Sequence, residues 1–154
     1  MTEKNILKQL VDISRQKCEL KGARLTEKRA DVLAILIAAA QPLSAYEILD
    51  QYNTVHGSAM PAMSAYRILE FLVSMDLVHK LESQSKYMTC THLRCAHQHA
   101  PPQFLVCQKC GDTREIEVAQ SVLHTLKKCA ADIGFTLAST HLELSCICGP
   151  CQHS

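Results

Sequence analysis

The sequence predicts an α+β protein in two parts, an N-terminal winged helix-turn-helix domain and a small C-terminal α/β domain organised by a metal. Three observations carry this. Helix-period apolar patterns fill the first 76 residues and are followed by a hairpin pattern. Two Cys-x-x-Cys pairs, Cys107/Cys110 and Cys148/Cys151, lie beyond residue 100. Between the halves, residues 92–103 are rich in His, Cys and Pro, lack periodicity and read as a hinge. The predicted boundaries are 1–91 for the winged domain, 92–103 for the hinge and 104–154 for the second domain.

A first helix is predicted over 4–21 from the spacing of Ile6, Leu7, Leu10, Ile13 and Cys18, with Gly22 as its stop. Thr26 can cap a second helix, nearly apolar throughout, that runs to about Ala40 and ends at Gln41-Pro42. Ser44 and Glu47 have the spacing of a capping box, in which each side chain satisfies the other residue's free backbone donor. A third helix follows to about Tyr52, and residues 53–62, with Gly57 and Pro61, read as loop. The fourth helix, 63–76, has two faces. Ala65, Ile68, Leu69, Leu72 and Met75 make an apolar stripe, and Ser64, Arg67, Glu70 and Ser74 stand opposite. A hairpin over 77–82 and 86–91 turns at Ser83-Gln84-Ser85.

In the second half, 104–106 and 113–118 read as strands, 119–133 as a helix and 135–144 as another strand. About 50 residues seldom hold a core alone, so this half calls for a metal, a partner or both.

The chain has 154 residues, 47% of them hydrophobic and 20% charged, which excludes a disordered chain. The apolar run 32–40 is too short to span a bilayer, and no cationic segment followed by an apolar run opens the chain. A cytoplasmic protein is expected, with no membrane and no small-molecule substrate among its partners. The net charge is only +1, but residues 1–30 carry eight Lys or Arg against four acids. That excess suits a phosphate-facing patch and equally a solvated amphipathic helix.

Nine cysteines are an odd number for a disulfide framework, and in a cytosolic chain they are thiols or metal ligands. Cys107, Cys110, Cys148 and Cys151 can supply four thiolates, the donor set of a closed structural Zn(II) site. Cys146 lies near enough to compete, but Cys146 with Cys148 is the poorer chelate. A redox-active pair is the alternative, and it leaves the second pair unexplained. A second group, His79, Cys90, His92, Cys95, His97, His99 and Glu115, surrounds the hinge and again offers donors suited to Zn(II). A metal held by several of these would set the angle between the domains; incidental hinge polarity is the other reading. Cys18 and Cys129 read as helix-packing thiols.

Several motifs in order carry a family resemblance: Arg24-Leu25-Thr26-Glu27-Lys28-Arg29, Leu43-Ser44-Ala45-Tyr46-Glu47-Ile48-Leu49, Ser64-Ala65-Tyr66-Arg67-Ile68-Leu69, Leu77-Val78-His79-Lys80-Leu81-Glu82-Ser83, Tyr87-Met88-Thr89-Cys90 and Cys107-x-x-Cys110-Gly111. In these the chain resembles the ferric-uptake-regulator family of bacterial metal sensors, most closely its zinc uptake regulator branch. It departs from the family pattern at Met63-Ser64-Ala65 and at Glu27, both at helix starts, where serine can cap as threonine does.

The resemblance implies a homodimer that represses zinc-uptake genes when zinc, two ions per chain, is bound. It implies helix 63–76 in the major groove of operator DNA, with Tyr46, Tyr66 and Arg67 at DNA-touching positions and Ser64 beside them. Arg67 is the reader of a guanine edge, where its fork can bond both acceptors, and Arg29 and Lys80 are phosphate contacts. Tyr46 has packing beneath its capping box as the competing expectation. The four cysteines match the structural site of the family, and His79, Cys90 and Glu115 match the sensing site of the zinc branch. The fourth sensing ligand is a hinge histidine, His99, with His97 in reserve. His141 could belong to a further site of iron-type relatives, but reads better as an ordinary strand histidine.

The thiolate of Cys90 points to zinc over iron or manganese, whose sensors use nitrogen and oxygen donors. An iron or peroxide sensor of the same fold leaves Cys90 unexplained. A thiol-disulfide enzyme built on Cys107 and Cys110 lacks an accompanying acid/base set, so no enzymatic activity is expected.

Overall fold

A computed structural model describes residues 2–95 and 100–153, which form two compact units dividing after Cys95. The first contains α1 (Glu3–Leu20), α2 (Glu27–Ala38), β1 (Leu43–Ser44), α3 (Ala45–His56), α4 (Ala62–Ser74), β2 (Val78–Leu81) and β3 (Lys86–Thr89). The second contains β4 (Gln103–Cys107), β5 (Thr113–Ile116), α5 (Gln120–Asp132), β6 (Glu143–Cys146) and the short α6 (Gly149–Gln152). Among the described residues no helix is long and apolar enough to cross a membrane.

In the first unit the helices bury the residues that their apolar spacing singles out. Cys18 of α1, Val32, Leu33 and Leu36 of α2, Ile48 of α3, and Ala65, Ile68, Leu69 and Leu72 of α4 share one core. Met75 is only partly buried, because α4 ends at Ser74 and Met75 is its C-cap. Thr26 stands at the N-cap of α2 without a side-chain cap bond. The capping box of α3 is complete: the Ser44 hydroxyl accepts from the Glu47 N–H at 3.2 Å, and the Glu47 carboxylate accepts from the Ser44 N–H at 2.7 Å.

α3 runs four residues beyond its predicted end. Tyr52 and His56 stack one turn apart at 4.3 Å, and His56 Nε2 lies 3.6 Å from Asp31 on α2, so the last turn has partners of its own. It stops at Gly57, whose φ of +60° is a left-handed cap that glycine adopts without a Cβ penalty. The Asn53 side chain then accepts from the Met60 N–H at 2.8 Å and leads the loop into α4.

β2 and β3 form the predicted hairpin, and the two-residue β1 adds to it in the order β1-β3-β2. Residues 92–95, predicted as hinge, lie with this unit. Leu93 joins the core, and Lys17 Nζ donates to the His92 carbonyl at 3.3 Å.

In the second unit β4 is central, antiparallel to β5 and parallel to β6. Its buried apolar residues are few: Phe104, Val106 and Cys107 on β4, and Leu123 on α5. The strand predicted over 135–144 is corrected to Glu143–Cys146, so His141 precedes a strand rather than lying in one. The residues just before β6 are tied down by a side chain. Gln103, 1% exposed, donates from Nε2 to the carbonyls of Pro101 (2.9 Å) and Thr140 (3.0 Å) and accepts from the Leu142 N–H (2.7 Å). Three of the four hydrogen-bonding capacities of this buried amide are thereby used to place the chain entering β6.

A four-cysteine centre and an exposed helix face

β4 delivers Cys107 to a tight knuckle. The Gly111 N–H returns to the Cys107 carbonyl at 2.9 Å, the Cys107 N–H bonds the Asp112 carbonyl at 2.9 Å, and Gly111 takes a φ of +77°. β6 runs beside β4 with Cys146 opposite Cys107, and the chain then turns through Cys148, the N-cap of α6. The Cys151 N–H closes that second knuckle on the Cys148 carbonyl at 3.0 Å. Lys109 Nζ reaches across to the Cys151 carbonyl at 2.9 Å, a clasp with no signature in the sequence.

The sulfurs of Cys107, Cys110, Cys148 and Cys151 all lie within 4.8 Å of one another. Cys110 and Cys148 are 3.6 Å apart, far longer than a disulfide bond and close to the roughly 3.8 Å edge of a tetrahedron with Zn–S bonds of about 2.3 Å. The donor set therefore fits Zn(II). Cys146 is not in this group; its carbonyl accepts the Gln108 N–H at 2.9 Å.

Without a cation Cys107, Cys110 and Cys151 differ in how readily they give up a proton. The Cys107 thiol is pulled down to about 6 by backbone N–H bonds, first that of Cys148, at 3.3 Å, and then that of Cys110. Cys151 is pushed up to about 12 by hydrogen bonds with Cys148 and then Cys110, and Cys110 is raised too, its bonds to Cys107 and Cys148 outweighing the Asp112 N–H. One sulfur is thus prepared as a thiolate by the backbone, and Cys110 and Cys151 need a cation to release their protons.

The predicted sensing residues fall on both units. His79 is half-buried on β2 opposite Met88, and a ring nitrogen lies within 4.8 Å of the Cys90 sulfur. Cys90 follows β3; its N–H bonds the Leu77 carbonyl at 3.0 Å, and its sulfur accepts the His92 N–H at 3.4 Å. Glu115 is half-buried on β5, opposite Phe104. His97 and His99 lie outside the described residues. His141 bonds Ser139 Oγ through Nδ1 at 2.9 Å and meets Phe104 edge-on.

The outward face of α4 carries Tyr66, Arg67, Glu70 and Ser74, all exposed, with Ser64 half-exposed. Tyr46, in the first turn of α3, is 78% exposed and does not pack beneath its capping box. Tyr46, Tyr66, Glu70, Lys80 and Tyr87 line one shallow depression. Lys80 pairs with Glu82 at 3.1 Å. Arg29 lays its guanidinium 3.5 Å from the centre of the Phe71 ring and donates to the Arg24 carbonyl at 2.7 Å, thereby bracing α4. Sequence spacing did not reveal that contact.

The sequence profile of the ferric uptake regulator family matches residues 20–145. The zinc uptake regulation proteins of Escherichia coli (strain K12) and Shigella flexneri are each 32% identical over 151 residues, covering 97% of this chain and 85% of theirs. A zinc uptake regulator solved in complex with zinc and DNA matches with a TM-score of 0.81 at 28% identity, over 99% of this chain and 97% of that one. Holo XcZur matches with a TM-score of 0.79 at 33% identity, over 95% of this chain and 99% of its own. With its winged unit, its two-knuckle four-cysteine cluster and this end-to-end similarity, the chain belongs to the ferric uptake regulator family.

Proposed function

We propose that the protein is a zinc-responsive transcriptional repressor of zinc-uptake genes, a cytoplasmic homodimer that binds operator DNA and has no enzymatic role. The observation that carries this reading is the match over 99% of the chain to a regulator solved with both zinc and DNA. Two zinc ions per chain are assigned. The structural ion belongs to Cys107, Cys110, Cys148 and Cys151. The sensing ion belongs to His79, Cys90, Glu115 and a hinge histidine, His99 or else His97.

Zinc, when bound, supplies a tetrahedral centre that holds its donors at fixed distances. The chain does the rest. Cys90 and His79 offer a thiolate and an imidazole from the winged unit, a pairing that favours zinc over harder ions. Ser64, Tyr66 and Arg67 on α4, with Tyr46, face the major groove, and Arg29 and Lys80 supply positive charge toward phosphates. Dimerisation is assigned to the second unit, where Val122, Leu126, Ile133, Phe135, Leu144 and Ile147 are exposed around a core too small to stand alone. Restricting the reading heads to one spacing is a population shift driven by the metal.

The test is DNA binding by fluorescence anisotropy on duplexes from upstream of zinc-uptake genes, with buffered free zinc, iron(II) or manganese(II). Binding should appear with zinc alone and be lost in Cys90→Ser while the dimer stays folded. Binding of equal strength with iron(II), or unchanged zinc dependence in Cys90→Ser, overturns the assignment.

A further inference from the structure

α4 presents one acid on its outward face. From Ala62 to Ser74 the only carboxylate is Glu70, and it is exposed. It stands three residues after Arg67 and four after Tyr66, so the three share one helical stripe. Among the described residues Glu70 makes no hydrogen bond and no ion pair. Arg67 does not pair with it, and Lys80, which lines the same depression and feels the Glu70 charge, makes its short ion pair with Glu82. An unpaired carboxylate on a surface turned toward a polyanion is repelled unless it finds a hydrogen-bond donor there.

The major groove offers two such donors, the N4 amino group of cytosine and the N6 amino group of adenine. On its own edge adenine sets N7, an acceptor that repels a carboxylate, beside N6, whereas cytosine sets a C–H beside N4; each amino group also adjoins one acceptor of its paired base. We infer that Glu70 is a specificity-determining residue that accepts a hydrogen bond from cytosine N4 in the operator, next to the position read by Arg67. This rests on the proposed DNA-binding function. It adds a reader of opposite charge to the arginine, one that rejects wrong bases by repulsion as well as selecting the right one.

Selection from a pool of randomised DNA duplexes tests it, with the zinc-loaded full-length protein and its Glu70→Ala and Glu70→Gln variants. Both substitutions lie on an exposed helix surface and keep good helix formers, so folding is preserved. Wild type should enrich a motif containing a cytosine position that Glu70→Ala reduces to near-equal use of all four bases, a roughly tenfold loss of discrimination there with other positions kept. Glu70→Gln should move the preference at that position from cytosine toward adenine, because an amide can donate to N7 while accepting from N6. If both variants enrich the wild-type motif unchanged at every position, the inference fails while the repressor reading stands. If wild type itself enriches no motif with zinc, both fail.

Discussion

Replacing Gln103 by leucine should loosen the second unit and, through it, the grip on metal. Three hydrogen bonds of 2.7–3.0 Å join this buried side chain to Pro101, Thr140 and Leu142. At about 1 kcal/mol net for each bond, their loss costs roughly 3 kcal/mol, and the leucine leaves backbone groups without partners in a site that water reaches poorly. Thr140 is exposed enough to regain a water, which lowers the cost, whereas the Leu142 N–H is partly buried and raises it. For a unit of this size the melting temperature should fall on the order of 10–20 °C. The consequence reaches the four-cysteine cluster because Leu142 precedes β6. The Phe104 N–H bonds the Leu142 carbonyl at 2.8 Å, and the register of β6 against β4 brings Cys148 to Cys107. Calorimetry of the zinc-loaded protein, with zinc release to a chromogenic chelator, measures both effects. A Gln103→Leu variant that melts with wild type and releases zinc no faster would refute the claim that this amide sets the register.

Other expectations follow from the same geometry. Ser44→Ala removes the acceptor for the Glu47 N–H and should cost about 1 kcal/mol of stability in urea denaturation. Hydrogen bonds from the Ser44 backbone, then its hydroxyl, lower the Glu47 carboxyl below its ordinary 4.5. Its stabilising contribution is therefore present above that value and is lost as pH falls through the depressed one; Glu47→Gln, which keeps the reach-back bond, should flatten this dependence. Cys110→Ser should lose one zinc per chain by elemental analysis and Cys146→Ser should lose none, since only Cys110 belongs to the four-sulfur group. Equal losses would show that the second knuckle is drawn wrongly.

Much of this was legible in the sequence because it follows from local rules. The period of α1 and α4, the box at Ser44 and Glu47, and the hairpin about Ser83–Ser85 each depend on neighbours a few residues away. What escaped depends on partners far along the chain. The extra turn of α3 is held by Asp31, the two-residue β1 exists only because β3 offers an edge, and Thr140 and Leu142 are bonded by the Gln103 side chain ahead of β6. The apolar run around Phe135 imitates a strand, yet Phe135 is 67% exposed, as suits a surface awaiting a second chain. At the metal centre the four cysteines were readable from their spacing, but not the Lys109 clasp or the backbone donors that make Cys107 the readiest thiolate.

In the proposed function zinc does two separable things, holding the second unit together and switching DNA binding. Metal content per chain, measured alongside operator binding through stepwise chelation, tests this most directly. Two zincs should fall to one as operator binding disappears, with the fold intact until the second ion leaves. Operator binding that persists undiminished after the first zinc has gone would contradict it.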